Sequence, residues 1–264
     1  MNEAHDTQGN TQGTGATMTA PAPLPADVGI VAAMSLEVGF LLDRLTKVRK
    51  YAGPKHTIVE GELEGKLVVL IVAGVGRESA RQGTQLLLDG HRPRWIFSVG
   101  FAGALDPALN RLDLVLADEV LDLERRRYAI DVAVPSAVPS SRVRTGKLLT
   151  VDHIITTVRE KAELREQFGA DLVDMESSAV ASVCSDRSIR FLSIRVVSDD
   201  ARNDLPPEVV SLLTRSGSYR IGAALRAIWN RPSSLKDFWA LHEHSQEAAD
   251  RLASFTADAI GLLD

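Results

Sequence analysis

Three short stretches carry acids where buried strands give way to turns or helices. In Leu172-Val173-Asp174-Met175-Glu176-Ser177-Ser178 an apolar run ends in two carboxylates flanking a methionine. Buried acids are costly unless something needs them. If the strand continues that far, alternation puts Asp174 and Glu176 on one face and Met175 on the other. Ser177 or Ser178 then caps a helix whose apolar face is Ala179, Val180, Val183 and Cys184. The dipole of that helix favours an ionised Glu176, suited to gripping hydroxyls, although a plain capping acid has the same signature. In Arg195-Val196-Val197-Ser198-Asp199-Asp200 an acid lies just past a buried run with a second acid beside it. Such a group should resist losing its proton and serve as a general acid; the competing reading is an ordinary Ser-Asp-Asp turn. Glu37, three residues after Met34, is either a helix-start acid or a base that activates water.

These residues need a frame to hold them. Val28 to Met34, Leu67 to Val72, Arg94 to Gly100, Asp113 to Ala117, Leu148-Leu149, Leu172-Val173 and Phe191 to Val197 read as buried strands. Helical faces follow the first two: Val38, Leu41, Leu42 and Leu45, then Ala80, Gly83, Thr84 and Leu87. Gly74-Val75-Gly76 reads as a turn and Gly100 to Gly103 as a glycine-rich corner. Buried strands alternating with amphipathic helices predict an α/β fold of three layers, a mainly parallel central sheet flanked by helices. Ligands then bind beyond the carboxyl ends of the strands, where the acids are expected to gather. Past Asp204 the pattern is helical over Glu208 to Leu213, Ile221 to Trp229 and Leu235 to Leu263, the last with or without a break. Residues 1–26, polar and rich in Gly, Thr, Ala and Pro, read as a disordered tail, leaving 27–264 as one domain.

Composition narrows the chemistry. The 264 residues carry a net charge of -5, which gives no support to nucleic-acid binding through phosphates. Arg125-Arg126-Arg127 is offset by Asp122, Glu124 and Asp131 and reads as solvated surface. The single cysteine, Cys184, lies in an apolar helical pattern and reads as core. The histidines are scattered, so no metal site and no cofactor is expected. No apolar run reaches a membrane span and no signal peptide is evident, which makes the cytoplasm the expected location.

Taken in order, VGIVAAMSLEV, VAGVGRESA, SVGFAGALDPALNRLDLVLADEV, DLVDMESSAVASVC and IRVVSDDA resemble the nucleoside phosphorylase and nucleosidase superfamily. The methylthioadenosine/adenosylhomocysteine nucleosidase branch is the most similar. The resemblance implies cleavage of the bond between a purine and ribose, with release of adenine from an adenine nucleoside. It makes Asp199 the donor of a proton to the base, Glu37 the base for water, and Glu176 the partner of the ribose hydroxyls and the cationic sugar. It also assigns substrate contacts to Met34, Met175, Ile154, Phe101, Gly76 and Ser198. Such a division suits a transition state positive at the sugar and negative on the base.

The resemblance further implies a homo-oligomer with a neighbour closing the pocket. Phosphorylases of the superfamily are also similar, so phosphate stands as an alternative nucleophile. Their phosphate is held by arginines and a serine, whereas the corner here reads Ser98-Val99-Gly100-Phe101. Arg77 is the remaining anion-binding candidate, although a solvated helix-start arginine is the expectation. Water therefore leads. A non-catalytic nucleoside sensor is a third alternative, disfavoured by the retention of all three acids. Leu121 to Ser141 is shorter than in the nucleosidases, which would leave the 5' side of the pocket open. The segment after Asp204 looks instead like hopanoid-associated phosphorylases, a branch that acts on an adenosylated lipid. Tyr219, Trp229, Phe238 and Trp239 would then touch a membrane surface, against a reading of ordinary helix packing.

Overall fold

The computed structural model describes residues 25–53, 56–130, 143–205 and 235–263, with the backbone alone for 235–245. The expected helices at Glu208 to Leu213 and Ile221 to Trp229 lie outside the described residues. So do residues 1–24 and most of Leu121 to Ser141, and the side chains of Tyr219, Trp229, Phe238 and Trp239. Ala26 belongs to the folded part: it is buried, and its backbone pairs with His91 and Arg94.

The chain runs β1 (Val28–Ala32), α1 (Ser35–Leu42), β2 (Thr46–Ala52), β3 (Thr57–Leu63), β4 (Lys66–Val72) and α2 (Arg77–His91). Next come β5 (Trp95–Ala104), β6 (Leu114–Asp122), β7 (Arg127–Ala129), β8 (Val143–Thr150) and α3 (Val158–Phe168). The last elements are β9 (Leu172–Asp174), α4 (Ser177–Asp186), β10 (Arg190–Asp199) and α5 (Leu235–Gly261). The apolar runs became central strands because only strands covered on both faces can be apolar throughout. Val28, Ile30, Phe97 and Val99 face α1 and α5, whereas Val31, Ile71 and Ile96 face α2 and α4. The result is the expected α/β arrangement of helices, sheet and helices. α5 is unbroken and buries Ala248, Leu252, Phe255 and Ile260 against the first face.

Strands β4, β1, β5 and β10 pair in parallel, and so do β6, β8 and β9. The two groups meet in antiparallel pairings, β10 with β6 and β9 with β5. Strands β5, β10, β6, β8 and β9 therefore close into a ring, while β4, β3 and β2 extend the sheet to an open edge. The acids were expected to gather beyond the ends of parallel strands. Glu37 follows β1 and Asp199 ends β10, but β9, which leads to Glu176, runs back along β5, with Val173 opposite Gly103.

The glycine-rich corner is also not a corner: β5 runs through it to Ala104. Its glycines serve close approach instead. A Cβ at Gly100 would lie 2.7 Å from Glu37 Oε1, and one at Gly103 would lie 3.1 Å from Asp199 Oδ2. Gly74 and Gly76 do form a turn, with φ of +97° and +98°, which glycine alone adopts at little cost.

Candidate active site

Glu37 lies in the first turn of α1 and is buried. Its Oε2 accepts from the amides of Ala33 at 3.0 Å and Met34 at 2.8 Å, and its Oε1 from the amide of Phe101 at 3.0 Å. The carboxylate is thus clamped between the end of β1 and the middle of β5. Burial pushes its pKa up; the amides of Phe101 and Met34, the Arg195 charge and the Ala33 amide oppose this and lose.

Glu176 is the N-cap residue of α4, so β9 ends before it and neither serine is the cap. Because the strand stops, Asp174 and Glu176 diverge instead of sharing a face. Asp174 turns inward: it accepts from Ser177 N, Thr150 Oγ1 and the Arg195 guanidinium, the last at 2.9 Å. Glu176 turns outward and accepts from Gly76 N at 2.7 Å, tying α4 to the glycine turn after β4. Burial, and then the negative charge of Asp174, push its pKa up to about 8, with Glu37 adding to the rise. Burial and the neighbouring carboxylates thus act against the helix end that was expected to favour the anion.

Glu37 and Glu176 line one cavity together with Ser98, Gly100, Phe101 and Arg195. Arg195 has no role in the resemblance; its signal in the sequence is a cation in an otherwise apolar run. It is buried and spends its donors on Ser98 O, Ile194 O, Ser98 Oγ, Ser177 Oγ and Asp174.

Asp199 does not line that cavity. It lies beside Gly103, three residues further along β5 than Gly100, or roughly 10 Å at strand rise. Its Oδ1 accepts from Ser198 Oγ at 2.7 Å and its Oδ2 from Lys161 Nζ at 2.6 Å. Burial would raise the Asp200 pKa, but the Arg202 amide, Asn203 and nearby arginines hold it below its ordinary value, and its side chain turns to them. Sequence reasoning missed Lys161, which sits in a run of charged residues and gives no apolar signal.

Of the other expected contacts, Phe101 lines the cavity, and the amides of Met34 and Gly76 donate to the Glu37 and Glu176 carboxylates. Met175 packs beside Leu105 and Val173, and its amide reaches Glu176 at 3.3 Å. Ser198 bonds Ala102 O as well as Asp199. Ile154 lies on the loop after β8, away from the residues that line the cavity. Arg77 starts α2 and is partly exposed, and its guanidinium is paired with Asp122, Glu124 and Asp152 at 3.4 to 3.6 Å rather than open to an anion. Cys184 is buried, and burial pushes its thiol up to about 12, as befits a core residue. Among the described residues no group of His, Cys, Asp and Glu is arranged to hold a metal, and no helix is long and apolar enough to cross a membrane.

A 5'-methylthioadenosine/S-adenosylhomocysteine nucleosidase from Baumannia cicadellinicola is 31% identical over 197 residues, 66% of this chain and 86% of that one. The nucleosidase of the same name from Campylobacter jejuni shares the fold with a TM-score of 0.72 at 19% identity, over 90% of this chain and 100% of that one. The corresponding enzyme from Colwellia psychrerythraea, solved in complex with adenine, gives a TM-score of 0.69 at 20% identity, over 90% and 95% of the two chains. Residues 27–260 match the family described as the phosphorylase superfamily, and the chain belongs to that superfamily.

Proposed function

We propose that this protein hydrolyses the N-glycosidic bond of an adenine nucleoside and releases adenine. The observation that carries the reading is the cavity of Glu37, Glu176 and Arg195. Glu37 is fixed by three amides, and burial makes it a stronger base than an exposed glutamate. A water beside it would lose a proton to Glu37 and attack the sugar carbon. Glu176 faces the same space, where its carboxylate form would steady the positive charge that grows on the ribose. Asp199, held at the end of β10 beside Gly103, would face the base and protonate it as the bond breaks.

Water is favoured over phosphate by what surrounds the cavity. Two carboxylates would repel an incoming anion, and the donors of Arg195 are already engaged. The similarity to methylthioadenosine/adenosylhomocysteine nucleosidases, and the adenine bound by one of the matched structures, support adenine as the base. The test supplies adenosine, methylthioadenosine or adenosylhomocysteine with and without phosphate. Adenine and free sugar are expected in both cases; strict phosphate dependence with a sugar 1-phosphate product overturns hydrolysis in favour of phosphorolysis.

A further inference from the structure

Lys161 is fully buried on α3, yet it is a lysine. Its Nζ donates to Asp199 Oδ2 at 2.6 Å and to the Asp200 carbonyl at 2.6 Å. Burying an ammonium is costly, and an apolar residue would fill the site more cheaply. The helix that carries it is firmly set: Thr157 caps it through Glu160 N, and Asp204 accepts from Val158 N at 2.7 Å. The charge is therefore aimed from a fixed platform at one carboxyl group. The other charged groups nearby are engaged elsewhere. Arg202 and Arg111 act on Asp200, His153 pairs with Glu160, and Arg165 pairs with Asp106 and Asp171.

We propose that Lys161 is the positioning residue that keeps Asp199 supplied with the proton it hands to the leaving base. The inference rests on the nucleoside-cleaving reading above. As the glycosidic bond breaks, its electron pair goes to the base and a base nitrogen takes a proton from Asp199. An N–H bond of Lys161 breaks and an O–H bond to Asp199 Oδ2 forms. The resulting amine regains a proton from solvent, matching the one that Glu37 took from the attacking water and gives back to solvent; solvent reaches the pair because the Asp199 side chain is 18% exposed.

The experiment compares wild type, Asp199→Asn, Lys161→Met and Lys161→Arg on an adenine nucleoside and on 4-nitrophenyl β-D-riboside, whose leaving group departs without a proton. Lys161→Met should lose about 100-fold in kcat on the nucleoside and stay within about 3-fold on the nitrophenyl riboside. Lys161→Arg, which keeps the charge but does not release a proton, should resemble it. Equal losses on both substrates, or nucleoside cleavage restored by Lys161→Arg, overturn the inference. If wild type releases no adenine, or Asp199→Asn retains full activity, the function reading itself fails; if those controls hold, failure belongs to Lys161 alone.

Discussion

Glu176 shares its surroundings with two other carboxylates and one guanidinium that is already shared, and that crowding has a thermodynamic consequence. Its folded pKa is pushed up to about 8, from an ordinary value of 4.5. Between those two values the folded chain holds a proton that the unfolded chain has released, so stability falls as pH rises through the window. Glu176→Gln removes this dependence. The variant should melt several degrees above wild type at pH 8 and close to it at pH 4.5, read by circular dichroism. At the same time its cleavage rate should drop by about 100-fold, because an amide supplies no negative charge to the sugar. A variant that is less stable at pH 8 would contradict the assigned environment.

Strand β5 is the element on which the site is laid out. Glu37 rests against Gly100 and Asp199 against Gly103, so both acids depend on positions of this strand that carry no side chain. Gly100→Ala puts a methyl group 2.7 Å from Glu37 Oε1, and the carboxylate must leave the Phe101 amide to make room. We expect a fall of about 100-fold in kcat from this small displacement, with the far-ultraviolet circular dichroism unchanged. Activity near wild type would show that Glu37 is not held where the chemistry needs it.

The same strand shows how much of the molecule the sequence disclosed. Its apolar half was legible, as were β1, β4 and β10, because double coverage leaves an uninterrupted apolar run. The β2–β3 hairpin was not: TKVRKYA is exposed throughout and offers no such run. α3 was missed for the same reason, being charged along most of its length although Lys161 and Phe168 are buried. Glu37, Glu176 and Asp199 were visible because each follows or ends an apolar run. Lys161 and Arg195 act through partners 38 and 21 residues away, and no local pattern records a pairing across the fold.

At the scale of the whole molecule, α5 supplies one covering layer, and the sheet is only as firm as that cover. Leu252 is fully buried between α1 and the strands. Leu252→Ala should lower the free energy of unfolding by about 2–5 kcal/mol in urea titrations, while kcat changes little. A loss below about 1 kcal/mol would mean that the helix does not seal this face. Ring closure has a further effect. Five strands find partners on both sides, so among the described strands the open borders are the three-residue β7 and the longer β2. A foreign chain seeking unpaired amides meets β2, and there it meets Lys47, Arg49 and Lys50. Lys47 and Arg49 are paired with Glu62 and Glu60 on β3, and a chain docking there would have to strip water from these exposed charges, which is a barrier to fibre growth.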